Sequence, residues 1–243
     1  MSDEARRDST ARDLTFPRDR ASCAMIDGIR FKVCGLTSLV DAEFADGCGA
    51  DFLGFILYPK SPRHIGLGTF RAMAPRLPER RKVAVSVEPA PDELAAMRDA
   101  GFDFFQIHFR PEATTDAQLT AWSRLVGEKR LWLAPKLPPG GEVSPAARAV
   151  AKYLLLDTFH ADGFGGSGRT GDWDAFARQQ AAHPGNVWIL AGGLAPDNVG
   201  DALRGSGARF VDVNSGVEAA PGVKDHAKLT RFVAALREAA ARP

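Results

Sequence analysis

The sequence predicts an α/β protein, a single (βα)₈ TIM barrel that is preceded by a disordered N-terminal extension. From Ile29 onward, short β-branched and aromatic runs alternate with longer stretches of helical period, and eight strand candidates are present. Nearly every candidate is a continuous apolar run, as expected for parallel strands buried on both faces. Eight strand–helix pairs over about 215 residues match a barrel near the lower end of its usual length.

The amino-acid composition is typical of a globular protein. Its 243 residues are 45% hydrophobic and 25% charged, and 31 Lys plus Arg against 30 Asp plus Glu give a net charge of +1. This balance provides no general attraction to nucleic acid or to an anionic membrane. The three cysteines form an odd set without metal-ligand spacing, which favours a reducing compartment over a disulfide framework.

We interpret residues 1–28 as the disordered extension and residues 29–243 as the barrel domain. The first part of the extension balances five acidic residues against five arginines and offers few apolar residues to bury. Arg6 and Arg7 superficially match a twin-arginine export signal, but no apolar segment follows them. The chain also lacks an apolar run of about eighteen residues, so we expect a cytoplasmic protein without a membrane span.

The strand candidates share apolar composition and flanking Gly, Pro, Ser or Asp residues. In chain order they are Phe31–Cys34, Phe52–Tyr58, Lys82–Val87, Phe104–Phe109, Leu131–Lys136, Tyr153–Asp157, Val187–Ala191 and Phe210–Asn214. A doubly wound open sheet is the structural alternative. That fold normally carries G-x-G-x-x-G after its first strand, whereas Cys34-Gly35-Leu36-Thr37 follows here.

Helical periodicity is clearest between the first two strands and at the C-terminus. The segment from Ser38 to Gly47 begins with a spacing like that of a capping box, and we expect Val40, Phe44 and Cys48 on its buried face. The last helix is expected to begin near Asp225. Its apolar residues at i, i+3, i+4 and i+7 are Leu229, Phe232, Val233 and Leu236.

In such a barrel, function lies at the C-terminal ends of the strands. Chemically active residues stand at several of these ends: Cys34, Gln106, His108, Asp157, Gly192, Gly193, Asp212, Asn214, Ser215 and Gly216. Glycine-rich turns follow strands six (Gly165-Gly166-Ser167-Gly168), seven and eight. Each glycine has an alternative role in closing a tight turn, but their clustering at the last strands favours a phosphate site.

Cys34 and Asp157 are the candidate proton-transfer groups. Cys34 ends a buried strand just before a probable helix start, where a helix dipole favours the thiolate needed by a general base. Asp157 ends a strongly apolar strand, where burial raises a carboxyl pKa and keeps a proton available. Each also has a structural interpretation: a small buried apolar residue for the cysteine and a helix cap for the aspartate.

Arg63 follows strand two on a loop that contains two prolines. A guanidinium held there suits a planar carboxylate, which it can bind through two parallel hydrogen bonds. His108 is compatible with either packing or ligand contact, so it ranks below Arg63.

Several blocks together resemble the phosphoribosylanthranilate isomerase family of tryptophan biosynthesis, from Ile29 to the C-terminus. The blocks are Lys32-Val33-Cys34-Gly35-Leu36-Thr37, Gly54-Phe55 through Tyr58-Pro59-Lys60-Ser61-Pro62-Arg63, Leu156-Asp157-Thr158, Gly165-Gly166-Ser167-Gly168-Arg169-Thr170 with Asp172-Trp173, Leu190-Ala191-Gly192-Gly193-Leu194, and Val211-Asp212-Val213-Asn214-Ser215-Gly216-Val217-Glu218. Any one block is weak, but their order and spacing are specific.

The resemblance implies an Amadori rearrangement of N-(5-phosphoribosyl)anthranilate to 1-(2-carboxyphenylamino)-1-deoxyribulose 5-phosphate, without metal or organic cofactor. In the family pattern, Asp157 is the general acid that opens the ribose ring and Cys34 is the base that removes the C2 proton. Arg63 binds the anthranilate carboxylate, while Gly192, Gly193, Asn214, Ser215 and Gly216 bind the phosphate. The resemblance also implies that Gly165 to Gly168 cover the site and that Asp212 contacts substrate. From their position at the end of strand four, we expect Gln106 and His108 to contact substrate as well.

Two alternatives remain open at this stage. The first is another barrel isomerase or synthase acting on a phosphorylated sugar amine, and the cysteine at the end of strand one argues against it. The second is a catalytically silent barrel that binds a phosphorylated ligand, and the presence of both proton-transfer residues argues against it. The expected partner is a small-molecule substrate only, and a monomer is favoured over an oligomer.

Overall fold

The computed structural model describes Ile26 and residues 28–157 and 172–241. Eight parallel strands close into one barrel in the order β1-β2-β3-β4-β5-β6-β7-β8, with β8 paired back to β1. The strands are β1 Arg30–Val33, β2 Phe52–Ile56, β3 Arg81–Val87, β4 Phe104–Phe109, β5 Leu131–Pro135, β6 Tyr153–Leu156, β7 Val187–Leu190 and β8 Phe210–Val213. The predicted (βα)₈ barrel is therefore confirmed.

Each predicted strand overlaps an observed one, and the differences lie at the ends. The largest is in β2, which ends at Ile56 rather than at Tyr58. Residues that the sequence assigned to strand ends, such as Cys34, Asp157 and Asn214, lie just beyond the strands and thus on the rim. The predicted extension falls almost entirely outside the described residues, although Ile26 is buried and forms a β-bridge with Ile29.

Eight α-helices in the described part of the chain surround the barrel. They are α1 Leu39–Gly47, α2 Leu67–Met73, α3 Pro91–Asp99, α4 Asp116–Val126, α5 Pro145–Val150, α6 Trp173–Ala182, α7 Val199–Ser206 and α8 His226–Ala241. In α8, the predicted buried face of Leu229, Phe232, Val233 and Leu236 is confirmed. None of these helices, within the described ranges, has the length and apolar character needed to span a membrane.

Helix α1 begins as expected, and the half-buried Phe44 and Cys48 pack against the core, but Val40 does not. Ser38 is its N-cap, and the Ser38 hydroxyl accepts a hydrogen bond from the Asp41 amide. The prediction that Val40 faces the core is wrong: this side chain is 64% exposed, and Asp41, Ala42 and Ala45 are buried instead. Asp41 turns inward because its carboxylate accepts hydrogen bonds from His226 and from the backbone of Lys224.

The barrel interior is divided into an apolar floor and a polar mouth. Aromatic rings from the N-terminal residues of β2, β4, β5, β6 and β8 fill the floor, with centroid distances between 5.0 and 5.6 Å: Phe52, Phe104, Trp132, Tyr153 and Phe210. These large side chains close the N-terminal end of the barrel. Polar residues are thereby restricted to the C-terminal end, where the strands open towards the loops.

A short hairpin extends the chain after β8. A 3₁₀ turn at Ser215–Val217 leads into β9 Glu218–Ala220, which pairs antiparallel with β10 Val223–Lys224. The Thr37 hydroxyl donates a hydrogen bond of 2.6 Å to the Gly222 carbonyl oxygen and so connects the hairpin to the loop after β1. The hairpin therefore delivers Glu218 and Lys224 to the barrel mouth.

Candidate active site

A cavity of about 880 Å³, counted to its open mouth, lies at the C-terminal end of the strands. It brings together most of the predicted site residues: Cys34, Arg63, Gln106, His108, Asp157, Gly192, Gly193, Asp212, Asn214 and Ser215. Among the other predicted residues, Gly216 does not line it, and Gly165, Gly166, Ser167 and Gly168 lie outside the described residues. The rim thus assembles residues from six different strands, as barrel enzymes do.

The two candidate proton-transfer residues face one cavity from different strands. Cys34 follows β1 and is only 4% exposed, and its backbone N–H donates to the Val213 carbonyl oxygen at 2.9 Å. Asp157 follows β6 and is half-buried. Their common cavity satisfies the geometric condition for acid–base work on one bound molecule.

Lys32 lies beneath Cys34 and was not predicted as a site residue. Its side chain is fully buried, and its ammonium donates to Asp212 Oδ2 at 2.7 Å and to Gln106 Oε1 at 2.9 Å. Burial disfavours the ammonium, but the Asp212 carboxylate and the Cys34 sulfur outweigh that effect and raise the pKa of Lys32. A positive charge is therefore fixed inside the barrel.

The Lys32 hydrogen bonds determine the orientation of the Gln106 amide and the tautomer of His108. Lysine only donates, so Gln106 must present its carbonyl oxygen to Lys32 and its amide N–H to His108 Nε2, which lies 2.8 Å away. His108 Nε2 is then an acceptor, which places the imidazole proton on Nδ1. Burial, together with the Lys32 charge, lowers the pKa of His108 to about 4, so this side chain is neutral near neutral pH.

A helix dipole as the origin of a Cys34 thiolate stays a prediction. Helix α1 begins at Leu39, and burial raises the pKa of Cys34, with the Asp212 carboxylate acting in the same direction. The groups that lower the pKa of Cys34 are Lys32 and, more weakly, Lys224. The two buried lysines therefore favour ionisation of this cysteine.

One carboxylate oxygen of Asp212 accepts a hydrogen bond, and the other accepts none from the described residues. Oδ2 accepts from Lys32, whereas Oδ1 is buried and has no hydrogen-bond partner among the described residues. Burial raises the pKa of Asp212, and Lys32 opposes that rise. A buried acceptor without a hydrogen bond costs free energy. Oδ1 is therefore suited to accept a hydrogen bond from a hydroxyl group of a molecule in the cavity.

Arg63 is held by a second charged cluster at the rim. Its Nε donates to Glu218 at 2.9 and 3.1 Å and its Nη2 donates to Glu218 at 2.7 Å, while Lys224 Nζ donates to the same carboxylate at 2.9 Å. Although Glu218 is partly desolvated, these two cations lower its pKa. One carboxylate between two cations leaves the cluster with a net positive charge, which favours an anion.

The turns after β7 and β8 present backbone amides to the cavity. Gly192 and Gly193 adopt φ values of 88° and 64°, which favour glycine. The amides of Gly193, Leu194, Ser215 and Gly216 donate no hydrogen bond to any other described residue. A carbon added at Gly216 would lie 1.9 Å from the Leu194 carbonyl oxygen, so Gly216 allows the two turns to meet.

Asn214 lines the cavity but has a structural contact as well. Its Oδ1 and its backbone carbonyl oxygen accept from Lys224 Nζ at 3.0 and 3.3 Å. The amide oxygen is thus directed at the hairpin lysine, and only the NH₂ group remains to donate to a ligand. Asn214 therefore connects the β8 turn to the Arg63 cluster.

Sequence reasoning missed Lys32, Glu218 and Lys224, which are all buried. A signal for Lys32 was available, because side chains alternate along a strand and Lys32 must share the inward face with Cys34. Glu218 ends one of the blocks that carry the family resemblance, but nothing in the sequence indicates its contact with Arg63. Among the described residues, no group of three His, Cys, Asp or Glu side chains comes together as a metal site.

The chain is similar to known proteins over most of its length. A family model described as N-(5'phosphoribosyl)anthranilate (PRA) isomerase matches residues 31–235 of the chain. The chain is 37% identical over 213 residues to a Magnetococcus marinus protein named N-(5'-phosphoribosyl)anthranilate isomerase, a match that covers 87% of this chain and 96% of the relative.

Two solved structures extend the comparison. Phosphoribosyl anthranilate isomerase from Thermus thermophilus is 33% identical and superposes with a TM-score of 0.71, covering 86% of this chain and 99% of that one. A phosphoribosyl anthranilate isomerase in complex with reduced 1-(o-carboxyphenylamino)-1-deoxyribulose 5-phosphate is 30% identical, with a TM-score of 0.66 over 86% of this chain and 99% of that one.

Proposed function

Because the chain belongs to the N-(5'-phosphoribosyl)anthranilate isomerase family, we propose that its barrel mouth catalyses this isomerisation with Cys34 as general base and Asp157 as general acid. The protein is an enzyme of tryptophan biosynthesis. Its reaction converts N-(5-phosphoribosyl)anthranilate to 1-(2-carboxyphenylamino)-1-deoxyribulose 5-phosphate. The observation that carries the assignment of residues is the single cavity shared by Cys34, Asp157, Arg63 and the glycine turns.

The substrate has an anion at each end, and the cavity has two separate anion anchors. The carboxylate end fits the positively charged cluster of Arg63, Glu218 and Lys224, and the phosphate end fits the amides of the β7 and β8 turns. Binding both ends holds the ribose between the two proton-transfer residues. Interactions far from the reacting bonds thereby contribute to orientation.

Ring opening is the first proposed step. Asp157 donates its proton to the ribose ring oxygen while the bond between that oxygen and C1 breaks, and the anthranilate nitrogen lone pair forms an iminium with C1. Cys34 then removes the proton from C2, and the C–H electron pair forms the enolamine, which tautomerises to the ketone. This sequence requires a protonated Asp157 and an ionised Cys34, against their usual pKa order.

Arg63 can bind the substrate carboxylate without losing Glu218. Glu218 occupies the Nε and Nη2 side of the guanidinium, and Nη1 makes no hydrogen bond to another described residue. The edge formed by Nη1 and Nη2 therefore remains for a second, bidentate carboxylate. Glu218 in this arrangement fixes the plane in which that edge lies.

The phosphate is proposed to bind at Gly192, Gly193 and Ser215, with the NH₂ group of Asn214 as a further donor. Uncommitted backbone amides at glycine turns suit a phosphate because they donate without bulky side chains. Gly216 contributes through its close contact with the Leu194 carbonyl oxygen, which lets the two turns meet, since its atoms do not line the cavity.

Asp212 is proposed to accept a hydrogen bond from a ribose hydroxyl through its unpartnered Oδ1. Gln106 and His108 are proposed to contact the substrate from the same side, with His108 neutral. Cover of the bound substrate by Gly165, Gly166, Ser167 and Gly168 stays a prediction, as does a raised pKa of Asp157.

We also propose that the enzyme is a cytoplasmic monomer. Cys34 and Cys48 are free cysteines, which fits a compartment that keeps thiols reduced. Exposed large apolar side chains in the described part of the chain are limited to Val40 and Val223, which provides little area for a stable subunit interface. Light scattering on the purified chain tests the monomer directly, and a molecular mass of twice 26.1 kDa would contradict it.

The activity is tested with purified protein and freshly formed N-(5-phosphoribosyl)anthranilate. We expect loss of the aminobenzoate fluorescence of the substrate at a rate proportional to enzyme concentration, and formation of the deoxyribulose phosphate product. Binding of a reduced product analogue without turnover of substrate would instead indicate the silent ligand-binding barrel.

A further inference from the structure

Lys32 has more hydrogen-bonding capacity than its contacts use. An ammonium group carries three N–H donors, and the bonds to Asp212 and Gln106 occupy two of them. The third is available on the side where Cys34, two residues later on the same inward face, presents its sulfur. Lys32 also lies 5.9 Å from the centre of the Trp132 ring, so the apolar floor closes the other side.

Gly54 on the neighbouring strand β2 creates the space for this arrangement. A methyl carbon placed on Gly54 would lie 2.6 Å from Lys32 Cε and 3.2 Å from Cys34 Sγ. The lysine stem and the sulfur therefore occupy the volume that any side chain at position 54 would take. The backbone of Gly54 has no positive φ, so conformational freedom does not explain this glycine.

We propose that Lys32 is a positioning residue that supplies the fixed counter-charge of the Cys34 thiolate. In this proposal, the absence of a side chain at Gly54 leaves the space in which the Lys32 side chain lies beside the sulfur. The inference rests on the proposed function in one respect, namely that Cys34 acts as the base. The charge relationship itself is a property of the free protein.

Other charged groups around Cys34 do not replace Lys32. Asp212 on β8 opposes ionisation of the thiol, and the neutral His108 on β4 contributes no charge near neutral pH. Lys224 on β10 lowers the pKa of Cys34 more weakly than Lys32 does, and both Lys224 and Arg63 after β2 are engaged with Glu218. Asp157 lines the same cavity from β6 and carries no positive charge. Loss of the Lys32 ammonium would leave the effect of Asp212 on the sulfur opposed only by the weaker effect of Lys224.

The test measures the ionisation of Cys34 in the substrate-free protein. Cys23 and Cys48 are first replaced (Cys23→Ser, Cys48→Ala) so that only Cys34 reports. The rate of alkylation by iodoacetamide is then followed against pH, because only the thiolate reacts. In Lys32→Met we expect the midpoint of the alkylation rate against pH to rise by at least about one pH unit. At pH values below the midpoint, this shift lowers the alkylation rate roughly tenfold. An unchanged midpoint in the folded variant would overturn the inference.

Lys32→Met leaves Asp212 as an unpaired buried charge, so its fold is checked by thermal unfolding. Gly54→Ala is the second variant, since it changes no charge and its methyl group meets Lys32 Cε most closely, at 2.6 Å, with Cys34 Cα and Sγ further away at 3.1 and 3.2 Å. We expect its midpoint to rise in the same direction, and no rise would count against the inference even if Lys32→Met does not fold. Gly68→Ala is the matched control, because a methyl group there meets no atom within 4 Å.

The pH dependence of kcat/KM separates this inference from the assignment of Cys34. We expect the acidic limb, which reports the base in the free enzyme, to move to higher pH in Lys32→Met and Gly54→Ala together with the alkylation midpoint. A shifted alkylation midpoint with an unmoved limb would support the counter-charge and refute Cys34 as the base. A loss of kcat that is equal at all pH values, with the alkylation midpoint and the acidic limb of kcat/KM both unchanged, would mean that Lys32 is only structural.

Discussion

Arg63 and Glu218 form a side-on ion pair in which Nε and Nη2 of the guanidinium both bind one carboxylate, at 2.7 to 3.1 Å. The two residues lie 155 positions apart in the chain and connect the loop after β2 to the hairpin after β8. Both side chains are largely buried, with 13% and 4% exposure, so the pair is shielded from solvent. Its geometry leaves a single guanidinium edge for a ligand.

Glu218→Gln tests whether this pair orients Arg63. The amide keeps the shape of the side chain but removes the charge that aligns the guanidinium, so we expect KM to rise about tenfold with a smaller change in kcat. Glu88→Gln is the matched control, because Glu88 pairs with Arg110 at an exposed position outside the cavity. Equal KM values in the two variants would show that Glu218 does not orient the arginine.

Cys34→Ala and Asp157→Asn test the assigned base and acid. Each variant removes one proton-transfer step, and we expect a loss of at least about a hundredfold in kcat without loss of the folded state. Steady-state rates and circular dichroism are measured together, with Cys48→Ala as the control for cysteine replacement. Wild-type turnover in either folded variant would show that the corresponding role is misassigned.

The phosphate site is tested by competition with inorganic phosphate. A carboxylate introduced by Gly193→Asp would repel a phosphate held by the β7 turn, so we expect inhibition by phosphate to weaken at least about tenfold. Gly207→Asp is the control, since Gly207 has a similar φ of 66° but lies at the end of α7. Unchanged inhibition in Gly193→Asp would place the anion elsewhere.

The lowered pKa of His108 predicts that the free energy of unfolding depends on pH. Its pKa falls from 6.5 to about 4 in the folded state, so between these values the unfolded chain binds the extra proton and acid favours unfolding. Acidification across that window should lower the free energy of unfolding by up to about 3 kcal/mol through this residue. We expect urea denaturation of His108→Asn to show a shallower loss between pH 6.5 and pH 4. Parallel profiles for the two proteins would contradict the assignment.

Much of the architecture was predictable because it depends on local periodicity. Continuous apolar runs at regular intervals suffice to place eight strands, and strand ends in a parallel barrel must meet at one rim. The grouping of Cys34, Asp157 and the glycine turns in one cavity follows from that rule. Val40 was misplaced because the apolar pattern of a short helix does not reveal that Asp41 has polar partners to turn towards.

By itself, the sequence determined the barrel, the end of it that carries the site and the residues with suitable chemistry, since these depend on order along the chain. Only the tertiary structure decided how the charges are paired. Lys32 meets Asp212 across 180 positions, and Arg63 meets Glu218 across 155. Such contacts determine which groups are ionised, because a buried charge is governed by the few atoms around it, and neighbours in space are not neighbours in sequence.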